Sequence, residues 1–413
     1  MADGRRWTVL AVGTFAQAAT CSFIYGIPML VPALRSRDSV SLFQASLVVS
    51  APMVGLLLTL ILWGALADRY GERVVIASGV GAAAALLGLA AVVHGATELG
   101  VLLALAGAAG ASVNAASGRM VMGWFPAGER GLAMGTRQTA QPLGVAIAAL
   151  ALPPLAHAHG AGVALLFPAA LCALAAVLVV LLVHDPVRPS RALGTAPAAS
   201  PYRGSWHLGR VHLASSMLVV PQFAVAAFTL VYLAGERHWD ATAAGRMIFA
   251  FQVAGAAGRI ASGLWSDQVG SRLRPMRQLA AASAALMLAL SLGAALHAWW
   301  IVAAFGLGAV VTVADNGLAY TSVAELAGPE WAGRALGVQN TVQNLVAVAT
   351  APLLAVIIGN SRYALGFAVV ALFPLVAIVA TPVRAERFAG VVRARKTDAG
   401  PTGVSAPVGP AAG

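Results

Sequence analysis

The chain has 413 residues, of which 59% are hydrophobic and only 10% charged, with a mean hydropathy of +0.82. A soluble globular chain carries about a quarter charged residues; this composition excludes that class and defines a polytopic membrane protein with room for about twelve spans of about 20 residues. The net charge of +11 does not point to nucleic acid, because the basic residues sit in short segments between apolar runs, the pattern that orients a membrane protein.

The N-terminal segment, Met1 to Arg6, is short and basic, and the run after it is long enough to span and lacks a small-residue cleavage site. It is expected to be retained as the first helix. The apolar runs predict helix 1 over about Trp7 to Leu34, helix 2 over Leu42 to Leu66, helix 3 over Val74 to His94 and helix 4 over Leu99 to Trp124. Helix 5 is expected over about Leu132 to Leu155 and helix 6 over Val163 to Val183, closed by Asp185-Pro186. From Asp185 to Arg210 Pro, Ser, Gly and Arg dominate and the apolar periodicity disappears, which marks a linker. Helices 7 to 12 follow, over about Val211 to Leu233, Ala241 to Trp265, Arg277 to Leu296, Trp299 to Val323, Ala335 to Ile358 and Tyr363 to Ala380. The tail after Pro382 is first Arg-rich, then rich in Gly, Ala and Pro, and is expected to be disordered beyond about Lys396. The expected division is residues 1–185, a linker at 186–210, a second unit at 211–383 and a basic tail at 384–413.

With both termini and the linker in the cytoplasm, that side holds most of the loop arginines, among them Arg5, Arg69, Arg130, Arg188, Arg191, Arg272, Arg334 and Arg387. The outer side holds only Arg35, Arg37, Arg237 and Arg362, so the positive-inside rule assigns this orientation. Cys21 and Cys172 both lie inside apolar runs, so neither a disulfide nor a metal site is expected from them. His157 and His159 near the end of helix 5 are read as surface histidines rather than metal ligands. Nothing forms a phosphate-binding loop, and no cofactor is expected.

Two stretches repeat at a separation of about 200 positions, close to half the chain. Gly64, Asp68, Gly71 and Arg73 recur as Gly263, Asp267, Gly270 and Arg272, and Gly135, Arg137 and Gln141 are paralleled by Gly337, Gln339 and Gln343. Asn114 and Asn316 form a further pair. Such repetition predicts two related sets of helices. Gly64-Ala-Leu-Ala-Asp68-Arg69-Tyr-Gly71-Glu72-Arg73 also resembles the loop signature between helices 2 and 3 of the major facilitator superfamily, with Glu72 departing from it. Gly123 to Gly135 resembles the same superfamily's turn between helices 4 and 5. The resemblance implies an all-α membrane protein of twelve helices in two pseudo-symmetric six-helix bundles. It also implies a gating role for Gly64, Asp68, Arg69, Gly71 and Arg73 and for Gly263, Asp267, Gly270 and Arg272, which would lock the cytoplasmic side. Gly64 permits close helix approach, and Asp68 can meet a helix N-terminus or an arginine.

Charged side chains inside a span are costly and functional by default. Of the acidic residues only Asp315 falls well inside a span, in helix 10, and it is the candidate for proton coupling; the alternative is a permanent ion pair with an intramembrane arginine. Arg259 in helix 8 has Gln252 two turns earlier on the same face and suits a carboxylate or phosphate. Its surroundings are similar to helix 8 of monocarboxylate and oxalate/formate-type carriers; the competing expectation is an ion pair with Asp315 or Asp267. Arg137 and Gln141 share a face of helix 5, Gln339 and Gln343 a face of helix 11, and Gln17 and Tyr25 a face of helix 1, while Gln222 follows Pro221 in helix 7. In the superfamily helices 1, 4, 7 and 10 line the central cavity, which makes Asn114 and Asn316 further candidates. Arg119, nearer the cytoplasmic end of helix 4, is expected to snorkel. Leu103, before Ala106-Gly107, stands where drug antiporters of the superfamily have an arginine, and Gln141-Pro142-Leu143-Gly144-Val145 departs from their helix 5 element.

The expected function is secondary transport of a small polar solute, an organic anion, by proton-coupled alternating access. The rivals are export of drug-like molecules or metabolites and a non-transporting receptor. No convergent catalytic group supports an enzyme. The partners expected are the solute, protons and the lipid bilayer, with no nucleic acid, and the protein is expected to be a monomer in the inner (plasma) membrane.

Overall fold

The computed structural model describes residues 2–31, 33–34, 41–186, 199–203, 205–239, 241–359 and 361–386. Arg35, Arg37, Arg188, Arg191 and the expected disordered tail from Arg387 lie outside the described residues. The described chain is all helical. The helices are α1 (Ala2–Ile24), α2 (Leu42–Tyr70), α3 (Glu72–Ala90), α4 (Ala96–Trp124), α5 in two segments (Arg130–Gln138 and Ala140–His159) and α6 (Ala161–Leu182). They continue with α7 (His207–Gly235), α8 (Ala241–Val269), α9 (Leu273–Ala295), α10 in two segments (Ile301–Ala314 and Asn316–Ala327), α11 (Ala332–Ile358) and α12 (Tyr363–Ala380). Among the described residues, twelve helical stretches are long and apolar enough to cross a membrane.

Three helices depart from the runs read from sequence, each beside a polar cavity. Helix 1 ends at Ile24 rather than near Leu34, and a 3-10 turn over Ile27–Leu30 follows with Pro28 at its start. α5 is interrupted at Thr139, just before Gln141-Pro142. Proline carries no N–H, so Pro142 cannot close the usual bond to the carbonyl four residues back, that of Gln138. α10 is interrupted at Asp315, whose N–H turns to Val313 O instead of continuing the ladder.

In the first half α2 packs on α4, α4 on α3, α3 on α6, and α1 on α5 and α6. In the second, α12 packs on α9 and α7, and α8 and α9 both pack on α10. The halves meet chiefly where α2 lies on α11 and α5 on α8. One apolar core belongs to the first half alone, with Phe23, Leu60, Ile76 and Leu87, and a second, with Phe228, Phe305 and Phe367, to the second half alone. The third is shared: Leu10, Val121, Phe125 and Met134 of the first half pack with Leu208, Leu318, Val323 and Leu336 of the second. It lies at the end where α1 begins and α12 finishes, so the halves are joined there and separate toward the opposite end.

Small residues allow the close crossings on which this packing depends. A Cβ at Gly107 would strike the Pro52 carbonyl oxygen, and one at Gly55 the Ala104 carbonyl oxygen. Gly107→Val is therefore expected to cost about 1–3 kcal/mol by overpacking, read as a lower thermal midpoint in detergent. Gly88→Val, where a Cβ meets nothing within 4 Å, is expected to leave the midpoint unchanged.

Candidate substrate cavity and gate

At the joined end each half offers one carboxylate to the other half's helix. Asp68, near the end of α2, accepts hydrogen bonds from the N–H groups of Gly333 at 3.0 Å and Arg334 at 3.2 Å, in the first turn of α11. Asp267, near the end of α8, accepts from Gly131 at 2.9 Å and Leu132 at 2.8 Å, in the first turn of α5. The first N–H groups of a helix have no partner within it and carry the positive end of its dipole, so a carboxylate there is stabilising by roughly 0.3–2 kcal/mol. The backbones touch for the same reason on both sides. A Cβ at Gly64 would strike the Gly333 carbonyl, one at Gly333 the Gly64 carbonyl, and Gly131 and Gly263 stand in the same reciprocal relation.

Ion pairs surround both contacts. Arg119 reaches Asp68 at 3.1 Å and Glu72 at 3.2 Å, so it pairs within the first half rather than snorkelling. The departure at Glu72 thus supplies a second partner for a buried arginine. In the second half the cation comes from the turn: Arg272 meets Asp267 at 2.5 Å and Glu325 at 3.7 Å, and Glu325 also meets Arg130 of the first half at 3.4 Å. Gly71, at φ +98°, turns the chain between α2 and α3, and a Cβ there would strike Asp185. Asp185 accepts from the N–H groups of Glu72 and Arg73 at 2.9 and 2.8 Å, and Glu386 accepts from the N–H of Arg272 at 2.5 Å. Arg73 also donates to Val180 O at 2.5 Å, Arg69 is exposed over the Tyr70 ring, and Gly270 has φ +64° with open space around it. The sequence reading missed Asp185, Glu386 and Glu325. The signal for the first two was present: they follow α6 and α12 at a separation close to that of the other repeated residues.

Above these contacts lie two adjoining cavities, of about 230 and 50 Å3, that share Tyr25, Gln141, Gln222 and Phe223. Gln252, Arg259, Thr229 and Thr312 line the larger, with Phe251 and Pro142 as apolar wall. Gln17, Asn114, Gln138, Asn316, Asn340, Gln343 and Asn344 line the smaller. Hydrogen bonds among these amides fix their orientation. Gln17 Nε2 donates to Asn114 Oδ1 at 3.3 Å, Asn316 Nδ2 to Gln222 Oε1 at 3.0 Å, and Tyr25 Oη to Asn344 Oδ1 at 3.2 Å, the last between halves. Gln343 Nε2 is buried without a partner.

Two candidates lie off the cavities. Arg137 is 1% exposed, bound to Ser117 Oγ at 2.7 Å, Gln138 Oε1 at 2.9 Å and Asn114 O at 3.1 Å, with its guanidinium over the Tyr320 ring. Gln339 is fully buried between His212, at 2.5 Å, and Ser215. Arg259 makes no ion pair with Asp267 or Asp315. Its Nη1 donates to the Gln138 carbonyl, and its Nε has no hydrogen-bond partner. Asp315 is 2% exposed, and its Oδ2 likewise has no partner. No group of three or more metal-ligating side chains occurs among the described residues.

Twelve candidate spans in two related halves, joined at one end around a polar central cavity, are the architecture of a membrane transporter. The family model for the Major Facilitator Superfamily matches residues 10–352 and 213–405. The chain is 44% identical over 386 residues to the uncharacterised MFS-type transporter Rv2994 of Mycobacterium tuberculosis strain H37Rv, covering 92% of this chain and 86% of that one. Among solved structures, it resembles the MFS transporter FucP in the outward conformation, with a TM-score of 0.71 and 19% identity over 92% of this chain and 98% of that one. It also resembles the human organic anion transporter MFSD10, with a TM-score of 0.68 and 19% identity over 91% and 99%. The chain belongs to the Major Facilitator Superfamily of transporters.

Removing both carboxylates of the gate by Asp68→Asn with Asp267→Asn is expected to open the joined end. A cysteine at Ala335, fully buried in the shared core, would then react with a membrane-permeant maleimide about tenfold faster, given about 1.5 kcal/mol or more per lost charge-assisted bond. Either single variant is expected to give a smaller increase.

Proposed function

We propose that this transporter carries a small organic anion together with protons by alternating access between its two halves. The observation that carries the anion is Arg259: a buried guanidinium on the cavity wall with a free Nε, in a cavity whose lining includes no carboxylate. A desolvated guanidinium favours a carboxylate or phosphate partner. Gln252, Gln222, Gln141 and Tyr25 face the same space and supply the hydrogen bonds that orient a polar solute. Asp315, buried with an unpartnered oxygen one helix away, is the group proposed to take and release the proton.

The joined end is read as cytoplasmic, because the basic loops Arg69, Arg73, Arg130, Arg272 and Arg334 lie there. The conformation described is then outward-facing. Units 1–185 and 211–383 are read as the two moving bodies, linked by 186–210 and followed by the 384–413 tail, in a monomer of the inner (plasma) membrane. No catalytic chemistry is part of this reading.

Proteoliposomes containing a pH dye test it across a panel of organic anions and cationic drugs. A mono- or dicarboxylate is expected to drive proton uptake, Asp315→Asn to abolish the proton flux, and Arg259→Gln to raise the apparent KM at least tenfold, about 1.4 kcal/mol. Proton flux driven by lipophilic cations alone would contradict the anion and favour export, for which the Phe223 and Phe251 wall is suited.

A further inference from the structure

The polar atoms left unsatisfied around Arg259 form a set. Pro142 has no N–H to give the Gln138 carbonyl, so that carbonyl is released from the α5 ladder. It is taken by Arg259 Nη1, which belongs to α8 of the other half. This is a tie between halves at mid-span, above the Asp68 and Asp267 contacts. On its other side α8 is pressed against α10: Ser262 Oγ donates to Ala314 O at 2.6 Å, and a Cβ at Gly258 would meet Val310 at 2.7 Å. Asp315 follows Ala314 directly, and Arg259 is one turn from Ser262. Arg259 Nε and Asp315 Oδ2 are both buried and both without a partner. The other ionisable groups near them are Tyr320 on α10, Cys21 on α1, Tyr25 just after it, and Arg137 on α5. Arg137 is held by Ser117, Gln138 and Asn114, which leaves Arg259 as the cation able to answer ionised Asp315.

We infer that Arg259 is a two-position coupling residue, held by the proline-freed Gln138 carbonyl of the first half while Asp315 is neutral, and drawn to Asp315 within the second half once Asp315 is ionised. The mechanism rests on the proton-coupled reading above. In the tied state Asp315 has no cation partner and holds its proton. When the halves part at the joined end the tie breaks, Arg259 pairs with Asp315, and the proton leaves to that side. Return to the tied state strips Asp315 of its partner and reloads it from the opposite side. Pro142 is in this scheme a positioning residue, acting only by denying the Gln138 carbonyl its helical donor.

The decisive variant is Pro142→Ala, which restores that donor without touching Arg259 or Asp315. Spin labels on cysteines replacing the exposed Tyr70 and Val269, at the ends of α2 and α8, report the separation of the halves by pulsed electron spin resonance. The native Cys21 and Cys172 are buried. No solute is needed, only a pH series. The wild type is expected to shift from the short to the long distance as pH rises, and Asp315→Asn to stay short throughout. Pro142→Ala is expected to raise the long population about tenfold at acid pH, the value of one hydrogen bond to a charged group, and to flatten the pH response. Pro153→Ala, in the same helix, is the control and is expected to follow the wild type. A Pro142→Ala variant that tracks the wild type, or an Asp315→Asn variant that still shifts with pH, overturns the inference. Proton flux that persists alongside either result would sink the switch and leave proton coupling standing. Flux that survives Asp315→Asn would sink the proton-coupled reading itself.

Discussion

The carboxylate of Asp68 on the first turn of α11, repeated by Asp267 on the first turn of α5, is the contact on which the rest of this structure depends. Each uses a feature that any helix provides, the unpartnered N–H groups of its first turn. Each also needs glycine on both sides of the crossing, because a Cβ at Gly64, Gly333, Gly131 or Gly263 would hold the backbones apart. The repeat therefore preserves a contact rather than a fold alone: two carboxylates, two helix starts and four glycines recur as a set. The ion pairs around them do not, because Arg73, the counterpart of Arg272, turns to Val180 O instead of Asp68. Arg119 comes from α4 in the first half, whereas Arg272 comes from the turn after α8 in the second.

This contact decides which end of the molecule is closed and so shapes the cavity. With α2 on α11 and α5 on α8 pinned at one end, the shared apolar core forms there and the two private cores diverge from it. The cavity lies where they diverge. Its walls come from helices interrupted at the same level, near Tyr25 in the first, at Thr139 in the fifth and at Asp315 in the tenth. Each interruption frees backbone groups that a membrane interior does not forgive unless they find partners or line a cavity. The Gln138 carbonyl finds Arg259. At this one carbonyl of α5, irregular backbone, the cavity lining and a contact between halves meet.

Much of this was legible in the sequence. Apolar runs longer than a bilayer needs and a charged turn repeated half a chain later were enough for the twelve helices and the two halves, and they singled out Asp68 and Asp267, which make the contacts between the halves. The cavity was legible more coarsely. Gln17 with Tyr25, and Gln252 with Arg259, line it as their helical spacing implies, and Asn114, Gln222 and Asn316 line it from α4, α7 and α10. Gln339 is on a neighbouring face and turns to His212 instead, a distinction that spacing along one helix cannot make without knowing how the helix is rotated in its bundle. The helix breaks were hidden for another reason. Asp315 sits in an otherwise unbroken apolar run, and Pro142 was visible as a proline but its consequence, a free carbonyl one turn back, depends on what lies opposite. Arg119 was read by depth alone, and depth does not reveal that Asp68 and Glu72 are waiting beside it.

The central claim is that the two carboxylate–helix contacts form one lock, opened by the movement of rigid halves. Hydrogen exchange resolved to the first turns of α11 and α5 tests it directly, because the N–H groups of Gly333, Arg334, Gly131 and Leu132 are held by carboxylates of the opposite half. The account predicts that the two segments exchange with the same protection and respond together when either Asp68 or Asp267 is replaced by asparagine. Protection that falls only in the segment facing the altered carboxylate, with the other left unchanged, would contradict a single lock and show two independent latches.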